Sequence, residues 1–242
     1  LRELEQAGVN TTAVAQDPEL KTGLCFLQID EDGERSFFSY RTQTAEIHFG
    51  PADLDEVMLS QAKAVHLCPT PMKLPSGREA ILRAAAVARD HGAMVSADCN
   101  LRPKHWGSAE EATAAGWDLA RVCDVLKLNE EEAVLVAGDI PPLDAAQRLL
   151  ESGPKLVVIT LGSQGAIWAT QSEHGHVPAP RVHAVDATGC GDAWVAGLLA
   201  RLITTEQYTD DSVTRAISEA NRLGAAVATV YGATTPIQAW PD

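Results

Sequence analysis

The sequence predicts an α/β fold, with a mostly parallel central sheet flanked by helices and a small β-hairpin set apart from it. Short β-prone apolar runs alternate with helix-type segments along most of the chain. The stretches between successive runs are long enough to hold a crossover helix, the connection that parallel strands require. Near the start, two β-prone runs are joined instead by a short turn containing Asp32-Gly33, a hairpin signal. The 242 residues are 45% hydrophobic, enough for a sizeable core, and read as one domain over 1–242.

The hairpin comes first, with runs Gly23 to Asp30 and Arg35 to Arg41 around Glu31-Asp32-Gly33-Glu34, about 22–42 in all. It is either an edge addition to the main sheet or a separate flap. Ala64 to Cys68 is a buried strand, followed by an Ala-rich helix from Arg78 to Asp90 that His91-Gly92 stops. Ala93 to Asp98 is the next strand, Glu110 to Ala120 a helix, and Val122 to Leu128 strand-like. Two helices, Glu130 to Val136 and Asp144 to Ser152, lead to the strand Lys155 to Thr160. His174 and His176 flank a glycine in a polar stretch and read as loop residues. Arg181 to Val185 is β-prone, and Ala193 to Leu202 is a strongly apolar helix. Neither an internal repeat nor a low-complexity tract occurs.

Composition excludes several function classes. A formal charge of −14 argues against nucleic acid or an anionic membrane as partner, since both need a basic patch. No run of eighteen apolar residues predicts a transmembrane helix. Leu1 to Glu5 has no signal-peptide character, and the missing initial Met points to a natural start further upstream. Cys25, Cys68, Cys99, Cys123 and Cys190 are odd in number, widely spaced and without CxxC pairs, as for reduced thiols in a cytoplasmic protein.

Binding sites in open parallel sheets lie beyond the carboxyl ends of the strands. There the sequence places Asp98-Cys99-Asn100-Leu101-Arg102-Pro103, then Asn129-Glu130-Glu131-Glu132, then Leu161-Gly162-Ser163-Gln164-Gly165. A fourth segment, Asp186-Ala187-Thr188-Gly189-Cys190-Gly191-Asp192, sits where a strand or loop becomes a buried helix. Such a junction offers free backbone N–H groups and the positive end of a helix dipole to an anion. Asp192, in the first turn, adds a carboxylate beside that anion, an unfavourable placement unless the carboxylate is needed. Removing a proton from a nucleophile that attacks a phosphate is one such need.

Taken singly, each motif has a simpler reading. Asn129-x-x-Glu132 could be a capping box, Gly162 and Gly165 a turn, and Arg102 a surface residue. Asp98, polar at the end of an apolar strand, is harder to dismiss. Walker A, GxSxG and HExxH motifs are absent, and Trp194 stands where a GxGxxG loop needs its last glycine.

Together and in this order, the four motifs resemble the ribokinase-like sugar kinase family (phosphofructokinase-B type). The pattern is similar above all to its fructokinase and 2-keto-3-deoxygluconate kinase branch. Asp98 to Trp106 and the hairpin residues Asp32 to Phe37, with Tyr40 and Arg41, look like that branch, and the resemblance runs from about Leu1 to Ala233. It implies a ribokinase-like fold, with the hairpin as a lid, and ATP-dependent transfer of a phosphoryl group to a sugar or sugar-acid hydroxyl.

The resemblance also implies residue roles. Asp192 would be the catalytic base, and the N–H groups of Gly189, Cys190 and Gly191 the anion hole. Asn129 and Glu132 would organise Mg²⁺, Glu132 through water, while Lys127 approaches phosphate and Arg102 phosphate or substrate. Thr160, Gly162 and Gly165 would form the nucleotide turn, and Asn221, Ala225 and Gly232 the adenine edge. Phe38, Tyr40 and Arg41 would meet sugar. Asp186 would ligate a monovalent cation such as K⁺, and the lid could pair two subunits into a homodimer.

Two departures stand out. Cys190 replaces the usual alanine. The family's opening strand, with its Gly-Gly pair and sugar-gripping Asp, has no counterpart from Leu1 onward, which implies sequence upstream. A non-catalytic sugar- or nucleotide-binding regulator and a nucleoside kinase remain open as alternatives.

Overall fold

A computed structural model of the chain describes residues 1–29, 35–40, 43–205 and 207–233, with the backbone alone at 27–29 and 35–39. The Asp32-Gly33 turn and Arg41 lie outside the described residues. A short helix α1 (Arg2–Gln6) precedes the hairpin of β1 (Leu24–Ile29) and β2 (Arg35–Tyr40). These two strands pair antiparallel, Leu24 opposite Tyr40 and Phe26 opposite Phe38, and form a sheet of their own. The hairpin is therefore a flap and not an extension of the main sheet.

After α2 (Glu56–Gln61), the chain winds β3 (Ala64–Leu67), α3 (Pro75–Asp90), β4 (Met94–Asp98), α4 (Ala109–Val122) and β5 (Val125–Asn129). It continues through α5 (Glu130–Ala137), α6 (Pro142–Leu150) and β6 (Leu156–Thr160) to β7 (Ala166–Ala169) and β8 (His174–Val177). Helices α7 (Cys190–Leu202) and α8 (Asp210–Ala228) complete it. The six strands are ordered β3 to β8; β3 to β6 are parallel and β7 and β8 antiparallel. The expected mostly parallel sheet with flanking helices is the observed one.

Strand alternation sorts the apolar side chains into two cores. Val95, Ala97, Leu126, Leu128, Val157 and Ile159 face the crossover helices α3 to α6. Val125, Leu156, Val158 and Trp168 face α7 and α8, which contribute Trp194, Leu198, Ile217 and Ala220. Burying one such leucine or isoleucine is worth about 1.5–3 kcal/mol. On α3, the buried positions Ala80, Ile81, Ala84, Ala85 and Ala88 follow the helical period, and the helix stops where Gly92 takes a φ of +77°.

The structure corrects three local expectations. His174 and His176 are on a strand: β8 pairs with β7, His174 opposite Ala169 and His176 opposite Ile167. Arg181 to Val185 is not a strand; residues 181–184 are exposed, and the Val185 and Asp186 N–H groups both donate to Ala228 O, at 2.7 and 3.2 Å. Helix α7 starts at Cys190, ahead of Ala193, so Gly191 joins Asp192, expected there, inside its first turn.

Candidate active site

The parity that points Val125 toward α7 also points Lys127 there, and Asp98 is its register partner on the neighbouring strand. Lys127 Nζ donates to both Asp98 oxygens, at 3.1 and 3.0 Å, and the two residues are only 7% and 5% exposed. Asp98 Oδ1 also accepts the Asn100 N–H at 3.2 Å, with Asn100 at a φ of +32°. The apolar run of β4 thus ends in a fixed carboxylate, with a buried ammonium beside it.

The start of α7 stands over this pair. Gly189, at its N-terminus, is left-handed with a φ of +80°, and a Cβ there would meet Ala233 Cα and Cβ at 3.0 Å. Both facts demand glycine. No side chain caps the helix, so its first turn keeps donors for a ligand. Cys190 is the exception. Its N–H donates to Ala187 O at 3.2 Å, and it does not line the cavity described below. The Cys190 thiol is pushed up by burial and then by Asp186, so it is not poised as a thiolate.

These groups line a cavity of about 630 Å³, within the usual size for small-molecule sites. Among the expected residues, the structure brings Arg102, Lys127, Asn129, Gly189, Gly191 and Asp192 together on its wall. Cys25, Thr70, Lys73, Asp98, Asn100, His105 and Trp106 join them. In a chain of net charge −14, this wall gathers three cationic side chains, Lys73, Arg102 and Lys127, against the two carboxylates Asp98 and Asp192. His66, on β3, senses the same cluster. Crowding lowers its pKa, Asp98 and Asp192 act to raise it, Lys127 acts to lower it, and its Nδ1 sits 2.9 Å from Ser96 Oγ although solvent still reaches the ring. A smaller cavity, about 310 Å³, lies by α5 between Glu130 and Pro142, away from these groups.

The remaining expected residues are held in structural roles, all but Asn129 outside the cavity wall. Asn129 and Glu132 form a capping box: Glu132 N–H donates to Asn129 Oδ1 at 2.8 Å, and Asn129 N–H to Glu132 Oε2 at 2.9 Å. Glu132 is 4% exposed; burial, aided by Asp98, pushes its carboxyl up to about 7 against the pull of the Asn129 N–H and Lys127. Thr160, opposite Asn129 in the sheet, donates to Leu128 O at 3.3 Å. Gly162 and Gly165 frame a 3-10 turn, and a Cβ on Gly165 would fall 2.0 Å from Val177 O. Asp186 accepts from the Thr188 N–H and hydroxyl, at 3.0 and 2.7 Å, and from the Gly232 N–H at 2.9 Å. Asn221 accepts from Trp194 Nε1 at 2.8 Å and donates to Val177 O and Pro178 O at 3.0 and 3.2 Å. This occupies its amide inside the fold, so an adenine contact through that side chain is corrected. Ala225 is half-buried on α8. Tyr40 is 62% exposed and shares a hairpin face with Leu24 and Phe26, whereas Cys25, on the other face, lines the cavity. Phe38 is opposite Phe26 on the backbone, and Arg41 is not described.

Sequence reasoning assigned no role to Asp98, Thr70 or Lys73. Asp98 had a signal, a carboxylate closing an apolar strand. Thr70 and Lys73 follow β3, and the rule that sites lie past strand ends would have found them.

The model of the pfkB family of carbohydrate kinases matches residues 1–240. Fructokinase-1 of Oryza sativa subsp. japonica is 35% identical over 236 residues, covering 95% of this chain and 72% of the rice protein. The aminoimidazole riboside kinase of Salmonella typhimurium is 33% identical, covering 97% of this chain and 73% of its own length. The crystal structure of a Xylella fastidiosa fructokinase with bound ATP superposes with a TM-score of 0.88 at 28% identity, covering 97% of this chain and 76% of that one. A Vibrio cholerae O395 fructokinase in its fructose, ADP and calcium ion bound form gives 0.86 at 30% identity, with the same coverage. With its sheet order, its glycine-led α7 and a family match over almost its whole length, the chain belongs to the pfkB family of carbohydrate kinases.

Proposed function

We propose that this chain is an ATP-dependent sugar kinase that phosphorylates a hydroxyl of a fructose-like monosaccharide or related sugar acid. One observation carries the reading: the uncapped start of α7 brings Asp192 and open backbone donors to one wall of a cation-lined cavity. Similarity to fructokinases, one bound to fructose and ADP, supports the sugar class.

In the proposed reaction the sugar hydroxyl lies at Asp192, which takes its proton as the oxygen attacks the γ-phosphorus. A general base of this kind is worth ~10²–10⁴ in rate. The N–H groups of Gly189 and Gly191, with Lys127, stabilise charge on the phosphoryl oxygens; in comparable sites one donor is worth ~10²–10³. Arg102 and Lys73 add positive charge at the mouth.

The residues fit Mg²⁺ that arrives on the nucleotide. The described residues hold no cluster of metal-ligating side chains, Asp98 is paired with Lys127, and Glu132 is buried in its capping box. Contact through water by Asn129 and Glu132 suits an ion that keeps most of its waters. When bound, Mg²⁺ neutralises the phosphates. Asp186, a buried carboxylate that organises the loop ahead of α7, supports a K⁺ site there. Replacing K⁺ by Na⁺ should lower turnover without changing fructose KM, and equal rates in the two salts would remove the site.

The exposed Leu24, Phe26 and Tyr40 on one hairpin face support pairing of two copies through the flap, which sedimentation would test. Among the described residues no helix is long and apolar enough to cross a membrane, and all five cysteines are free, which supports a cytoplasmic location. ADP release over fructose, 2-keto-3-deoxygluconate, ribose and a riboside tests the substrate class. Fructose or the sugar acid should give the highest kcat/KM; activity confined to the riboside would replace the reading with a nucleoside kinase.

A further inference from the structure

Asp98 has no part in the reaction as drawn so far, yet it is one of the best-held polar groups on the cavity floor. An ammonium carries three donors. Asp98 takes two from Lys127, at 3.1 and 3.0 Å, and Lys127 lines the cavity, so the third is left for a ligand there. Lys127 Nζ is 3.6 Å from where a Cβ on Gly191 would stand, which puts it under the first turn of α7. A buried ion pair adds little stability, because desolvation of both ions offsets most of their attraction. It does fix the position of a charge that otherwise rides on a flexible four-carbon stem.

We infer that Asp98 is a positioning residue for phosphoryl transfer: it holds Lys127 so that the third N–H meets an oxygen of the group in flight between nucleotide and sugar. The inference rests on the kinase reading above. In the step, the acceptor oxygen bonds to the γ-phosphorus, the bond from that phosphorus to the bridging oxygen breaks, and ADP departs with the electron pair. The hydroxyl proton goes to Asp192. Lys127 keeps its protons throughout and only stabilises charge.

Charge counting and positioning give opposite expectations for Asp98→Asn. Deleting a negative charge beside the phosphates should help if charge alone matters. Positioning predicts that kcat falls about 10²-fold, as for a displacement on the order of 1 Å, while ATP affinity stays equal or tightens. Lys127→Met should lower kcat ~10²–10³-fold. The double variant should be no slower than Lys127→Met, because Asp98 acts only through Lys127, and Asp98→Glu should recover part of the loss. Losses that multiply in the double variant would overturn the inference, as would wild-type kcat in Asp98→Asn. Where Lys127→Met fails to fold, the near-isosteric Asp98→Asn decides alone. Calorimetric ATP binding separates the two levels. A wild-type chain that binds ATP and phosphorylates no sugar overturns the kinase reading, whereas an active wild type with an equally active Asp98→Asn overturns this inference only.

Discussion

Glu132→Gln isolates the energetic consequence of burying a carboxyl beside the cavity. Glu132 is 4% exposed, and burial raises its pKa from 4.5 to about 7. Between those values the unfolded chain has released the proton and the folded chain still holds it. The folded state binds more protons, so stability falls as pH rises through the window. The loss is negligible below pH 4.5 and complete above about 7, where it amounts to about 3 kcal/mol at 1.36 kcal/mol for each pKa unit. Glutamine keeps the capping box, because its amide oxygen can still accept the Asn129 N–H. Urea melts of wild type and Glu132→Gln at several pH values should therefore show nearly equal stability near pH 4. At pH 8 the variant should be more stable by about 3 kcal/mol, or roughly 6–12 °C in Tm for a domain of this size. A stability difference that does not change with pH, or a variant that is weaker at pH 8, would refute the reasoning.

Two further substitutions test the scaffold. Gly165→Ala forces a Cβ to within 2.0 Å of Val177 O at a φ of +97° and should cost at least about 3 kcal/mol; a melt within 1 kcal/mol of wild type would contradict the turn geometry. Asn221→Ala removes the bonds to Trp194, Val177 and Pro178 and should cost about 2–4 kcal/mol while leaving kcat per folded molecule unchanged, so a lost kcat in a stable variant would return Asn221 to the nucleotide site.

The parallel strands were legible because they are largely buried, which writes them as short, mostly apolar runs: Leu156–Thr160 is the clearest. Strand β8 was not legible, because its outer residues His174 and His176 are exposed and polar and its ladder to β7 is non-local. Arg181 to Val185 has strand-forming residues but joins neither sheet among the described residues, so propensity lost to tertiary context. At the site, the α7 junction could be read from its glycines and Asp192. The Asp98–Lys127 pair could not, since it exists only through the order and register of β4 and β5. Asn129-x-x-Glu132 shows the converse: the local capping reading is what the side chains do, whatever else they serve.

In the proposed reaction Asp192 is the base beside the transferring phosphoryl group. Single-turnover and steady-state rates of Asp192→Asn with the best sugar substrate test it most directly. The variant should fold, bind ATP with near wild-type affinity and turn over ~10²–10⁴-fold more slowly. Turnover at the wild-type rate would contradict it.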